Sequence, residues 1–115
     1  MDKVIIVEGR TDRERLLQVL DEPVEIVCTQ GTISSEDLHH LVADYEDAEI
    51  YVLADADDAG NKLRRQIKQE FPNAHHLYTR KVYREVAATP LAHLAEVLAN
   101  AHFNVKSAAV GGNAP

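Results

Sequence analysis

The chain has 115 residues, 45% of them hydrophobic, and carries a net charge of −7 at pH 7. This length suits one domain with its own core, and the acidic balance argues against a protein that coats nucleic acid by overall electrostatic attraction. The sequence shows no apolar stretch long enough to cross a membrane and no signal-peptide pattern, and its single cysteine, Cys28, cannot form an internal disulfide. These features predict a cytoplasmic protein without membrane contact.

Apolar runs and helical stripes alternate along the chain. The predicted strands cover residues 3–7, 24–29, 50–54 and 75–79. The predicted helices begin with a capping box at Thr11 to Glu14, at Ser34 or Ser35, near Asp58, and at Thr89 with Pro90 in the first turn. This alternation predicts a single α/β domain with a four-stranded parallel sheet and helices on both faces. We assign residues 1–105 to the domain and 106–115 to a flexible tail.

Acidic residues follow two of the predicted strands. Glu8 follows the first strand, and Asp55 and Asp57 follow the third with side chains on the same face. Ligands of such sheets bind beyond the carboxyl ends of the strands, where strand order reverses. In the order 2-1-3-4 these three carboxylates converge there. A divalent cation would relieve their repulsion.

The alternative explanation for these aspartates is helix capping. Asp57 or Asp58 can cap the helix that follows, because aspartate is a favourable N-cap residue. Capping accounts for one aspartate and leaves the others unexplained. We expect Asp58 to be the cap and Asp57 to belong to the site.

The acidic motifs carry a resemblance to a known family. Val7-Glu8-Gly9 and Asp55-x-Asp57-x-x-Gly60 resemble the two motifs of the Toprim domain, and Thr29-Gln30-Gly31 is similar to its glycine-bearing turn. The resemblance covers roughly residues 3–80. It implies a Toprim-like (Rossmann-like) fold, and the stretch Val4–Asp12 looks closest to ribosomal RNA maturation nucleases and small stand-alone Toprim proteins. Bacterial primases share the domain.

This resemblance implies magnesium-dependent chemistry at a phosphodiester bond, with Mn²⁺ as a possible substitute. Asp55 and Asp57 are the expected metal ligands, and Glu8 the general acid or base or a further ligand. The first hypothesis is a nuclease, ribonuclease-like, acting on RNA or DNA. The alternative is a metal-dependent nucleic-acid or nucleotide-binding module that does not cleave and acts with a partner protein. A phosphate-receiver or phosphatase domain is disfavoured, because its aspartates follow other strands.

Residues that would hold phosphates surround the acidic cluster in this arrangement. Glycines in the strand-end turns allow close approach of the backbone to a ligand, and basic side chains supply local positive charge. The predicted phosphate-binding or nucleic-acid-binding residues are Gly9, Arg10, Gly31, Gly60, Lys62, Arg80 and Lys81. We assign the six histidines to the surface or to packing. The last helix is expected to cover the sheet edge, with a homodimer or a partner protein as the alternative.

Overall fold

The computed structural model describes residues 2–107, which form a four-stranded sheet flanked by helices. The strands are β1 (Lys3–Val7), β2 (Glu25–Cys28), β3 (Glu49–Leu53) and β4 (His75–Leu77). The helices are α1 (Arg10–Val19), α2 (Ser35–Val42), α3 (Asp58–Glu70) and α4 (Leu91–Asn100). Short 3-10 turns occupy Ala43–Tyr45, Lys81–Tyr83 and Val86–Ala88.

The strand order is β2-β1-β3-β4, and all three pairings are parallel. This confirms the predicted sheet. The register pairs Ile5 of β1 with Ile26 of β2 and with Tyr51 of β3. Because β1 and β3 are neighbours, their carboxyl ends lie side by side in the middle of the C-terminal end of the sheet.

Each face of the sheet is covered by two helices. On one face, Ile5 and Leu53 of the strands pack with Leu16 of α1 and Leu98 of α4. On the other face, strand residues such as Ile6 pack with apolar side chains of α2 and α3. Successive residues of β1 are buried on opposite faces, as expected for a parallel strand covered on both sides.

The helix starts differ from the predictions at three places. Helix α1 begins at Arg10 with Gly9 as its N-cap, not at Thr11, because the Asp12 carboxylate accepts the Gly9 N–H at 3.1 Å. The cap of α3 is Asp57, not Asp58. Helix α4 begins at Leu91, because the Thr89 hydroxyl donates to a backbone carbonyl instead of capping the helix.

Helix α4 covers a face of the sheet next to α1, where its Leu94 and Leu98 are fully buried. The expectation that it covers the sheet edge is therefore wrong. After α4, the Lys106 N–H donates to Val19 O at 2.8 Å. The predicted flexible tail, 106–115, lies outside the described residues from 108 onward. Within residues 2–107 no helix has the length and apolarity that a membrane crossing needs.

Gly60 allows the first turn of α3 to pack directly on the end of β3. The residue is buried, and a β-carbon built on it would collide with the Asp55 carbonyl group. Because both partners in this contact are backbone, neither can move aside without shifting the strand end or the helix. The close approach explains why glycine occupies this position.

We predict that Gly60→Ala destabilises the fold by about 3 kcal/mol, at the upper end of the range for overpacking. Gly9→Ala is the matched control. Its added carbon would lie 3.6 Å from Asp12 Oδ2, an ordinary contact, so only the weaker N-cap preference of alanine is lost, about 1 kcal/mol or less. Urea unfolding of both variants measures the difference. Equal stability of the two variants would show that the contact with Asp55 does not restrict position 60.

Candidate metal centre

Three acidic side chains lie at the carboxyl ends of β1 and β3, and a backbone amide fixes each of them. The Asp55 N–H donates to Glu8 Oε1 at 2.7 Å. The Val86 N–H donates to Asp55 Oδ1 at 2.7 Å, and the Gly60 N–H donates to Asp57 Oδ1 at 2.7 Å. We refer to Glu8, Asp55 and Asp57 as the carboxylate cluster.

The second oxygen of each cluster carboxylate remains open to a ligand. Within residues 2–107 no hydrogen bond or ion pair reaches Glu8 Oε2, Asp55 Oδ2 or Asp57 Oδ2. Across the same part of the chain, no three acidic, histidine or cysteine side chains form a preformed metal cage. Mg²⁺ commonly takes one or two carboxylates and retains several waters. A Mg²⁺ ion bound here would therefore take oxygens from only one or two of these carboxylates, and water would complete its coordination.

Burial makes two of these carboxylates weaker acids. It is the main cause that raises the pKa of Glu8 and the pKa of Asp55 above their ordinary values, because the charged form loses hydration. Backbone hydrogen bonds lower both pKa values, and the charge of Asp57 raises them again. The neighbouring carboxylates therefore contribute less than burial to the raised pKa of Glu8.

Asp12 is an acidic neighbour of the cluster that the sequence analysis treated only as part of a capping box. Its side chain is buried, and its Oδ2 accepts the Gly9 N–H. Burial, followed by the charge of Asp55, raises the pKa of Asp12. The spacing from Glu8 was a usable signal, because four residues place Asp12 about one helical turn beyond the strand end.

The segment that follows the 3-10 turn after β4 closes over the Asp55 loop. The Ala56 N–H donates to Arg84 O at 2.6 Å, and the Val86 N–H holds Asp55. Arg84 has a φ of 56° and a ψ of −55°, the central position of a γ-turn that the Glu85 N–H closes on Tyr83 O at 2.6 Å, a conformation that is rare and strained. The sequence predicted Arg80 and Lys81 as nucleic-acid contacts, but it did not predict that the segment following them fixes the Asp55 carboxylate.

The predicted glycines shape the rim of the site. The Gly9 N–H donates to Asp12, the Gly31 N–H donates to Glu8 O at 3.0 Å, and the Gly60 N–H donates to Asp57. Gly31 has a φ of 91°, which favours glycine. Because all three amides already have acceptors, the glycines permit the turns and do not offer free N–H groups to a phosphate.

Two of the four predicted basic residues line the clefts around the cluster. Arg10 lines a cleft of about 700 Å³ together with Glu8 and Asp55. Lys81 lines a second cleft, of about 500 Å³, which also contains Asp55. Lys62 and Arg80 are exposed and line neither of these two clefts. Positive charge therefore lies on two sides of Asp55.

A larger cleft, of about 900 Å³, lies at the opposite end of the sheet, where the strands begin. Most of its charged lining residues are acidic: Asp2, Glu22, Glu25, Asp44 and Asp47. We place the functional site at the smaller clefts, because there half-buried carboxylates with raised pKa values lie next to basic side chains.

Comparison with known proteins identifies the family of this chain. The Toprim domain model matches residues 3–88, a range that contains the whole carboxylate cluster and the segment that holds Asp55. The chain belongs to the Toprim family. The resemblance seen in the two acidic motifs is thereby confirmed, and the match extends beyond β4 to the turn before α4.

Two similar proteins match most of this chain. The solved structure of a small TOPRIM domain protein from Bacillus stearothermophilus has 54% sequence identity and a TM-score of 0.91, and the match covers 96% of this chain and 93% of that chain. The uncharacterized protein YusF of Bacillus subtilis is 49% identical over 105 residues, which is 91% of this chain and 72% of YusF. The Toprim-like fold is thus confirmed.

Ribonuclease M5 is a more distant relative. The Mycoplasma genitalium enzyme is 29% identical over 79 residues, which is 68% of this chain and 43% of that protein. The Mycoplasma pneumoniae enzyme is 36% identical over 70 residues, which is 60% of this chain and 38% of that protein. The chain therefore spans less than half the length of these two ribonucleases.

We predict that Glu8→Gln raises the melting temperature of the metal-free Toprim protein at neutral pH. Glutamine retains Oε1 as the acceptor for the Asp55 N–H, so only the charge is removed. The pKa of Glu8 is higher in the folded chain than in the unfolded chain, where it is about 4.3. The shift therefore contributes to the free energy of unfolding at pH values below the unfolded-state pKa, and this contribution is lost as the pH rises through the folded-state pKa. The variant does not suffer this loss.

Circular dichroism melting in chelator from pH 4 to pH 8 tests the effect. The gain of Glu8→Gln over the wild type is expected at pH 7 to 8 and should decrease toward pH 4, where protonation of Glu8 removes most of the charge difference between the two chains. Asp58→Gln, a change at an exposed position, is the control. A gain that does not depend on pH, or a loss at pH 8, would contradict the assigned pKa direction.

Proposed function

We propose that this Toprim protein is a magnesium-dependent nuclease that hydrolyses phosphodiester bonds in nucleic acid, with RNA as the favoured substrate. The observation that carries the proposal is the carboxylate cluster, in which each carboxylate is fixed through one oxygen and presents the other. Family membership and the similarity to proteins named ribonuclease M5 support action on nucleic acid. Toprim domains generally bind Mg²⁺. We also propose that the protein acts in the cytoplasm.

In this proposal Asp55 and Asp57 hold the metal ion. Their open oxygens are hard ligands of the kind Mg²⁺ prefers. The Val86 and Gly60 amides keep both carboxylates in place before any ligand arrives, which lowers the cost of ordering the site. When bound, the ion neutralises phosphate charge and orients water for attack.

Glu8 serves as the proton-transfer group in the same proposal. Its raised pKa brings it closer to neutral pH, where a group exchanges protons most effectively. The Asp55 N–H holds one oxygen, so the other is the oxygen that takes or gives the proton. Arg10 and Lys81 lie in the flanking clefts and contact the phosphates on either side of the reacting one.

A binding module that does not cleave is the second candidate function. One observation favours it: the similarity covers only 43% and 38% of the two ribonucleases M5, so it does not carry over the activity of the whole enzymes. In this candidate the protein acts with a partner protein or a second copy of the chain. The metal site and the nucleic-acid contacts are the same under both candidates.

Cleavage assays separate the two candidates. We predict that the purified protein cuts structured RNA in Mg²⁺ or Mn²⁺, and that Asp55→Asn lowers the rate by about 100-fold or more through lost charge stabilisation. Asparagine keeps Oδ1 for the Val86 N–H, so the loop should remain closed. Asp58→Asn removes an exposed charge of the same kind that is neither the α3 cap nor part of the cluster, and should retain full activity.

Labelled structured RNA, single-stranded DNA and double-stranded DNA are incubated with each variant, with and without chelator. Metal-dependent retention of RNA without product supports the binding module. Cleavage that survives in chelator, or an Asp55→Asn rate equal to that of Asp58→Asn, would rule out the proposed metal-dependent mechanism.

A further inference from the structure

Tyr78 presents an aromatic ring beside the carboxylate cluster. The residue is 61% exposed, and the guanidinium carbon of Arg64 lies 4.1 Å from the centre of its ring. Because Arg64 covers one face and most of the side chain still meets solvent, the opposite face of the ring is open. An open ring face backed by a cation is a stacking surface for another planar group.

Arg64 holds this ring in a defined position. The residue is only 6% exposed, and its Nη2 donates to Leu77 O at 2.7 Å and to Ala54 O at 3.3 Å. These carbonyls lie at the carboxyl ends of β4 and β3. The guanidinium is therefore hydrogen-bonded to the same end of the sheet that carries the carboxylate cluster. Within residues 2–107 no carboxylate forms an ion pair with it.

Tyr78 and Arg64 line the cleft of about 500 Å³ that also contains Asp55 and Lys81. This volume lies in the range of small-ligand sites, about 300 to 1,000 Å³. This cleft contains two positive side chains, Arg64 and Lys81, although the net charge of the chain is −7. The cleft therefore combines an aromatic ring for a base with a lysine, Lys81, for a phosphate, and it opens beside a cluster carboxylate.

We propose that an unpaired nucleotide of the substrate binds at the rim of this cleft, with its base stacked on the open face of Tyr78 and its phosphate directed to Lys81. The inference rests on the proposed function and adds a substrate class to the same site. Bases inside a duplex stack on each other and do not present a free face, whereas unpaired bases do. The substrate is therefore nucleic acid with a single-stranded nucleotide next to the bond that is cut.

Fluorescence of oligonucleotides that carry 2-aminopurine tests the stacking site separately from cleavage. RNA and DNA of one sequence are used, each with the fluorescent base unpaired or within a blunt duplex. Titrations are run in chelator and in Ca²⁺, which takes oxygen ligands like Mg²⁺. The base in the unpaired oligonucleotide is expected to be quenched when wild-type protein binds, in RNA, in DNA or in both.

Tyr78→Phe keeps the ring and should retain the wild-type affinity within about twofold. Tyr78→Leu removes the ring and should weaken binding of the unpaired oligonucleotide about tenfold, the effect of one lost base–aromatic stack, with duplex binding unchanged. Tyr83→Leu, in the adjacent 3-10 turn but outside the cleft, is the matched control. Lys81→Ala should reduce the slope of log affinity against log salt by about 0.7, one single-strand phosphate contact.

Three results would overturn the proposal: no binding of any unpaired oligonucleotide by the wild type, unchanged affinity of Tyr78→Leu, or an equal loss for duplex and unpaired oligonucleotides. These are distinguishable from failure of the nuclease proposal. Cleavage that depends on Asp55, with an unaltered Tyr78→Leu affinity, removes the stacking site and leaves the nuclease. Quenching that depends on Tyr78, without cleavage by any variant, does the reverse.

Discussion

The hydrogen bond from the Asp55 N–H to the Glu8 carboxylate joins the ends of the two central strands. It forms because β1 and β3 are parallel neighbours in a fixed register. Half-buried carboxylates at this edge repel each other and lose hydration, and each backbone amide that they accept offsets part of that cost. The first turn of α3 and the segment after Arg84 supply the remaining amides, so the surrounding structure serves to hold a cluster that would otherwise be unfavourable.

The sequence was informative where a local pattern decides the structure. Alternating apolar runs and helical stripes predicted the parallel sheet, and the acidic motifs at two strand ends favoured the order 2-1-3-4, in which Glu8 and Asp55 meet. It failed where a tertiary contact decides. Asp57 and Asp58 have similar capping preferences, and the choice depends on how Gly60 packs against the end of β3. No periodicity signals that the Val86 amide returns to hold Asp55.

Asp55 connects two halves of the proposed site. It lines the cleft that contains Glu8 and Arg10, and it also lines the cleft that contains Tyr78 and Lys81. The first cleft contains carboxylates with raised pKa values, and the second contains basic side chains and the ring of Tyr78. A nucleic acid that lies across both clefts would place one phosphate at the carboxylates and a neighbouring nucleotide on the ring. The net negative charge of the chain is compatible with this, because local charge at the edge determines the contact.

Calorimetric titration of the metal-free protein with Mg²⁺ at pH 7 tests most directly whether the carboxylate cluster is a metal centre. The account predicts saturable binding that is lost in Asp55→Asn and retained in Asp58→Asn, with a melting temperature that rises with Mg²⁺ in the wild type and in Asp58→Asn. Absence of saturable binding, or equal binding by Asp55→Asn and the wild type, would contradict it.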